Sequence, residues 1–442
     1  MKNLYKKCKL IFFLSFFSVI GSATADNSLK CNIGIADITP KGPVELAGFA
    51  AREGFSRGIH RHIQTHCLVI KNDLDKVCII TNDLMEIPLK EADMLRDRIA
   101  KESGIDRDHI FVHEIHTHSA PRVKNEYANE CLEIIAENAV RTIKDEKAYQ
   151  PFTLEVGKIN CALNVNRREK NGPCDHEVNV VRFLNKKHKP IVSLVNYACH
   201  PVSLGPKSLW VSTDFPGITV DELEKKWGGR VFYFTGASGN VDPLRGIKAD
   251  TSYTQQMGKL LADTIRMTRF TKIKDNKSLK VINEVVKLPF RSDEITYESV
   301  NKLANEISKR EISKSWKDDV ESWRIKTCQK ITNNEVQNYL PLHIGAVKVG
   351  GIVLFFSQGE PFNEYQTILR KNFPEIPILF MGYTNGQSSY LPSKNAFECK
   401  GDNYDYEINQ MFVYVGTPFP LSDKMPSVYE TAIKETVKKA FY

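Results

Sequence analysis

The chain has 442 residues, 42% of them hydrophobic and 10% aromatic, which excludes a disordered polypeptide and is enough for one large domain or two smaller ones. The formal charge is +8, but Lys2, Lys6, Lys7 and Lys9 lie in an opening stretch without acids, so residues 26–442 carry +4 (8 − 4 = 4). So small an excess, with both signs interspersed, argues against a nucleic-acid partner, which needs a concentrated basic face.

The opening lysines precede an apolar run of eleven residues, Leu10 to Ile20, too short to span a bilayer comfortably. Ala23-Thr24-Ala25 fits the small-x-small cleavage pattern, so residues 1–25 read as a signal peptide cut after Ala25, with an uncleaved anchor as the alternative. The protein is therefore expected to be secreted or periplasmic. No later stretch approaches the ~20 apolar residues of a transmembrane helix. Nine cysteines follow the cut: Cys31, Cys67, Cys78, Cys131, Cys161, Cys174, Cys199, Cys328 and Cys399. Their spacing shows neither a CxxC pair nor a small disulfide scaffold, and the odd count leaves at least one unpaired or bonded to another chain. Cys67 and Cys78 lie in apolar runs and read as buried thiols.

Asn32 to Ile38 predicts a strand, followed by a loop rich in Gly and Pro. Cys67 to Lys71 and Val77 to Thr81 predict a hairpin around Asn72-Asp73. A helix is expected from Leu89 to Glu102, a strand from Ile110 to Ile115 and a long amphipathic helix from Asn125 to Glu146. Phe152 to Val156, Val178 to Leu184, Ile191 to Tyr197 and Val231 to Phe234 alternate like strands. Residues 275–340 differ: one strand, Val281 to Leu288, precedes a charged helical stretch from Glu294 to Lys317. This reads as an excursion or lid within a single domain spanning 26–442. The chain then returns to its first pattern with a strand from Val347 to Phe356, a helix from Asn363 to Phe373, a strand from Ile376 to Met381 and a closing helix from Val428 to Ala440. No internal repeat is visible. The expected fold is α/β, with mixed β-sheets layered with α-helices.

Three strands end in groups that carry chemistry. Phe111-Val112-His113-Glu114-Ile115-His116-Thr117-His118 runs off a strand, and in an extended segment His116 and His118 face one site while His113 faces away. The HExxH zincin motif is narrowly missed, because position 117 is Thr. Leu194 to His200 is a second apolar strand ending in histidine, with Pro201 turning the chain out of the sheet. Phe356-Ser357-Gln358-Gly359-Glu360-Pro361 repeats the arrangement with a carboxylate, which could ligate a metal or sit at a helix N-terminus. Open α/β sheets carry their sites at strand ends, and two imidazoles with a carboxylate suit a catalytic zinc. His62 and His66 precede a strand and read as structural.

These segments resemble the catalytic domain of the neutral/alkaline (non-lysosomal) ceramidase family. The likeness runs from Ile33-Gly34-Ile35-Ala36-Asp37-Ile38-Thr39-Pro40 through Gly58-Ile59-His60, His116-Thr117-His118-Ser119-Ala120-Pro121, Asn166-Arg167 and His200. It continues at Ser212-Thr213-Asp214, Gly239-Asn240-Val241-Asp242-Pro243, Gly359-Glu360 and Asn385 to Tyr390. The resemblance implies one Zn2+ per chain, held by His116, His200, Glu360 and Tyr390. It places His118 beside the metal, passing a proton to the leaving nitrogen or stabilising an oxyanion, and Arg167 near the substrate amide. It also puts His60 near the site. Asp214 and Asp242 are candidates for hydrogen bonds to the ligand imidazoles, or else turn-forming residues. The implied reaction is hydrolysis of an N-acyl bond in a lipid or small molecule by metal-activated water.

The chain also departs from the family. Thr235-Gly236-Ala237 stands where ceramidases carry a serine in a Gln-Ser-Asn run, with Ser238 shifted, and Gln387 replaces the first of two paired tyrosines. The family's immunoglobulin-like C-terminal domain is not in this sequence. Ceramide and other acylated amines are therefore both open as substrates. Two further readings stand beside the amidase: a zinc esterase or deacylase acting on a glycan or small ester, and a secreted binding protein without catalysis. An amidohydrolase barrel also uses HxH, but it needs eight regular strand–helix units, which the 275–340 stretch fits poorly.

Overall fold

A computed structural model describes residues 28–248, 250–275, 277–309, 314–398 and 406–442. The expected signal peptide and Cys399 lie outside the described residues.

The backbone repeats one topology three times, although the sequence shows no repeat. Each unit is three antiparallel strands, a helix, a fourth strand parallel to the third, and a closing helix. In the first unit the strands are Lys30–Asp37, Gln64–Lys71, Lys76–Asn82 and Ile110–Glu114, with helices Leu89–Ser103 and Asn125–Lys144. The second has strands Thr153–Asn160, Glu177–Leu184, Pro190–Tyr197 and Arg230–Thr235, with helices Asp214–Trp227 and Thr251–Arg266. The third has strands Leu279–Pro289, Tyr339–Val349, Ile352–Ser357 and Ile378–Met381, with helices Glu364–Asn372 and Met425–Phe441. The result is the mixed α/β architecture expected from the alternating strand and helix patterns.

The period-2 pattern of the strands explains the layering. In the first sheet Leu68, Ile70, Val77 and Ile79 point inward, where they meet Phe183, Leu194 and Phe232 of the second sheet and Leu354 and Phe356 of the third. Phe111 stacks on Phe356 at 4.3 Å between ring centroids. Cys67, Val69, Cys78 and Ile80 point outward into a layer shared with the helices. All eight described cysteines after the expected cut are free, and Cys67 and Cys78 are buried with their sulfurs 3.5 Å apart. Side-chain bonds to backbone also tie one sheet to the next. Thr81 donates to the Tyr233 carbonyl at 3.0 Å, and Asn196 donates to the Phe380 carbonyl at 2.8 Å.

One expected strand divides in two. Val347 to Phe356 is broken at Gly350-Gly351, with Val349 and Ile352 paired across the turn and Gly350 at φ 56°. A two-residue loop of this kind needs positive φ, which glycine adopts without strain. The barrel alternative is excluded, because the main strands form three sheets of four or five strands with mixed directions rather than one parallel ring. In the 275–340 stretch, Val281 to Leu288 lies within the first strand of the third sheet. The helices Tyr297–Ser308 and Lys314–Thr332 follow it, and Val300, Ala304, Val320 and Trp323 join the core layer outside that sheet.

Candidate metal centre

Because the fourth strand of each unit is parallel to the third, both chains leave the sheet at the same end. Six strand ends from three sheets thus meet in one place. The turns after the three third strands carry Met85 and Glu86, His200, and Glu360. The turns after the three fourth strands carry His116, Ser238 and Tyr383.

His116 does not reach the site as part of an extended strand. The strand ends at Glu114, and His116 has φ 66°. Its backbone N–H donates to Leu84 O at 2.9 Å, and its Nδ1 donates to Met85 O at 2.9 Å. His200 is held the same way, through Nδ1 to Ser238 O at 2.8 Å. A carbonyl on Nδ1 fixes the tautomer and leaves the Nε2 lone pair free. Glu360 Oε1 accepts from Gln387 Nε2 at 3.0 Å. Glu360 Oε2 lies 3.4 Å from His116 Nε2 and 3.5 Å from His200 Nε2. Both His200 Nε2 and Glu360 Oε2 are buried without a hydrogen-bond partner. Burial alone would raise the Glu360 carboxyl, but His116 and His200 hold it well below its ordinary range.

The residues present fit a metal ion. A tetrahedral site with bonds of about 2.0–2.2 Å has ligand–ligand edges of about 3.3–3.6 Å, the separations found here around Glu360 Oε2. His118 Nε2 lies 3.4 Å from His116 Nε2, and ring nitrogens of His116, His118 and His200 all fall within 4.8 Å of one another, a group that could hold a metal ion. Burial, then the neighbouring His116 and His200, push His118 well below its usual range, so it stands as neutral imidazole.

Tyr390 pairs with Glu360 in a short parallel ladder, and its hydroxyl lies 3.2 Å from Arg167 Nη2. Burial pushes the Tyr390 phenol up, with Glu360 adding to the effect and Arg167 opposing it. The Arg167 guanidinium also reaches Glu407 at 3.1 Å and Asp242 at 3.4 Å. The structure thus brings His116, His118 and His200 to Glu360, and Arg167 to Tyr390.

The residues expected around the ligands take different places. Asp214 bonds no imidazole: its carboxylate accepts from Ser203 Oγ at 2.5 Å and from the backbone N–H of Leu204 and Phe215 at 2.9 and 2.7 Å. Asp242 faces Arg167, not a histidine. Backbone carbonyls of Met85 and Ser238 take the role assigned to these acids. His60 reaches only the layer behind the site. It bonds Ser212 Oγ at 3.0 Å, and Ser212 braces the turn between the two histidines by accepting from Thr117 and donating to Ser119. His62 and His66 lie against Asp37 and Asp83, away from the centre.

Tyr383 went unnoticed in the sequence. Its ring stacks on His116 at 4.2 Å, and its hydroxyl bonds Ser238 Oγ at 2.7 Å. The strand-end rule that found His116 would have found it, two residues past Met381. The carbonyls of Met85 and Ser238 carry no signal, because any residue supplies one.

The sequence matches no family model and no curated protein. Solved structures do match. A neutral ceramidase from Pseudomonas aeruginosa superposes with a TM-score of 0.67 at 15% identity, over 92% of this chain and 74% of that one. A ceramidase complexed with C2 gives 0.67 at 14% identity over the same shares. The chain has the neutral ceramidase fold. At such identity the likeness is one of fold, and the chemistry rests on the side chains described above. Among the described residues no helix is long and apolar enough to cross a membrane.

Proposed function

We propose that this protein is an exported, zinc-dependent hydrolase of N-acyl amides. The observation that carries the reading is the meeting of His116, His200 and Glu360, one from each unit, with the two imidazole Nε2 atoms 3.4 and 3.5 Å from Glu360 Oε2, which has no hydrogen-bond partner. In this reading these three residues and Tyr390 hold one zinc, which when bound activates water and polarises the acyl carbonyl. Arg167, fixed by Asp242 and Glu407, orients the carbonyl oxygen. His118, neutral and partly open to solvent, takes a proton at Nε2 and gives it to the departing amine. Tyr383 and Gln387 keep His116 and Glu360 in place. The substrate class, an acylated amine such as a ceramide, comes from the fold's relatives.

The spacing also supports a second donor set, with His118 in place of Tyr390, since His118 Nε2 is as close to His116 as Glu360 is. Zinc titrations separate the two. Under the first set Tyr390→Phe weakens zinc binding and His118→Ala spares it; under the second the order reverses. For the function itself, protein purified without added metal should carry zinc near one equivalent by elemental analysis and hydrolyse N-acyl amides. His200→Ala should lose zinc and activity together. Full turnover by metal-free protein would sink the proposal, and a preference for matched esters would move it to a deacylase.

A further inference from the structure

The turns after the third strands of the second and third units carry His200 and Glu360. The equivalent turn of the first unit, Leu84 to Pro88, carries Glu86, which neither the expected ligand set nor the proposed reaction uses. The turn is firmly placed. Leu84 and Met85 carbonyls hold His116, and the Ile87 carbonyl accepts from Gln387 N at 3.3 Å. Glu86 therefore sits between the segments that position a histidine and the partner of Glu360.

Its side chain lines a cavity of about 820 Å³ that opens beside the metal centre. The cavity is amphipathic. Phe290, Leu340 and Met411 supply apolar lining, and Glu86, Ser388 and Gln387, the partner of Glu360, supply polar lining. Glu86 Oε2 and Ser388 Oγ are both buried with no hydrogen-bond partner. A buried polar atom without a partner costs ~1–3 kcal/mol, and both residues line the cavity, so a donor bound there could relieve that cost after a small rotation of either side chain. Burial, more than the nearby Glu360, pushes the Glu86 carboxyl up to about 7, while His116 and Arg122 oppose the rise. A donor in the cavity would supply what the ionised form lacks.

We propose that Glu86 anchors a donor subsite, binding a protonated amine or a hydroxyl on the amine half of the substrate while the chain lies along the apolar wall. This deepens the N-acyl amidase reading and rests on it. It fixes the orientation of the substrate, with the leaving amine toward the Leu84–Pro88 turn.

The test is calorimetric binding of octylammonium, 1-octanol and octanoate to the zinc-loaded protein and to its Glu86→Gln variant. Glutamine keeps the shape and an acceptor but loses the charge. Octylammonium should weaken about tenfold or more, octanol less, and octanoate not at all. Loss confined to octylammonium assigns the subsite to an amine; loss of both donors assigns it to either group. Unchanged affinity for both donors, or weakened octanoate, overturns the proposal. If the glutamine variant does not fold, Glu86→Asp, which keeps the charge and withdraws it from the cavity, should give the same ranking. Turnover of N-octanoyl amides by the same preparations keeps the two ideas apart. A donor preference without turnover sinks the amidase reading alone, and turnover without a donor preference sinks the subsite alone.

Discussion

His113 shows how much a single buried proton can decide. Its Nδ1 donates to Gly382 O at 2.8 Å and its Nε2 accepts from Thr235 N–H at 3.1 Å, so one neutral tautomer satisfies both sides. A second proton would set Nε2–H against an N–H donor. Burial accordingly pushes His113 from 6.5 down to about 3, with the Gly382 bond opposing. The unfolded chain binds this proton below about 6.5 and the folded chain does not until about 3, so stability falls as pH drops through that window. The expected loss is about 2 kcal/mol between pH 6.5 and pH 5. Urea unfolding at both pH values measures it, and His113→Gln should be less stable at pH 7 with a flatter pH dependence. An equal slope in the variant would clear His113 of the effect. Gly48 acts on the site by its missing side chain. It sits at φ +101°, and a Cβ there would lie 2.4 Å from the His118 ring. Arg52 closes the same loop on His118 by donating to its carbonyl at 2.7 Å. Gly48→Ala should therefore displace His118 and lower kcat/KM at least about tenfold, the usual worth of a positioned acid–base group being larger still. Bound zinc should stay at one equivalent if His118 is no ligand. Wild-type kinetics in this variant would remove His118 from the chemistry.

At the scale of elements, the sequence was legible wherever a face alternated or a helix was long. The Gln64–Lys71 and Lys76–Asn82 hairpin, the Leu89–Ser103 helix and the Asn125–Lys144 helix fall within a few residues of their predicted bounds. The Val347–Phe356 run was misread because it is apolar on both sides of Gly350-Gly351, and two buried strands on either side of a tight turn look like one long strand. Gly350→Ala tests the turn: a left-handed residue with a Cβ costs about 1–2 kcal/mol, which should appear as a lower urea midpoint with unchanged zinc affinity. No change in midpoint would mean that the turn adopts another geometry. The strand ends disclosed His116, His200 and Glu360 because polar residues at the ends of buried strands need a reason to be there. Tyr390 came only through family resemblance, since a tyrosine in a loop signals nothing by spacing. The threefold repeat was invisible because topology is set by hydrophobic pattern and connection length, which tolerate complete divergence of sequence. The two readings of Asp214 and Asp242 stayed open for a related reason. Carboxylates are the familiar partners of ligand imidazoles, and nothing in a sequence shows that a carbonyl is already in the place.

The whole molecule has one central core made from the inner faces of all three sheets, while the proposed metal takes one ligand or more from each unit. The zinc would then tie together at one end the same three sheets that the core joins along their length. Two consequences follow for unfolding. The shared core should make the transition a single one, with or without metal, because no sheet can leave without exposing the faces of the other two. The metal should raise its midpoint by mass action, by about 2.7 kcal/mol when free zinc is a hundredfold above its dissociation constant. Thermal melts of zinc-loaded and chelator-treated protein should therefore differ in midpoint and not in the number of transitions. In His200→Ala the chelator should move nothing, because that variant no longer holds the ion. A wild-type midpoint indifferent to saturating zinc would mean that the three strand-end turns converge without binding it. A chelated protein that melts in two steps would show instead that the ion, not the core, holds one unit to the others.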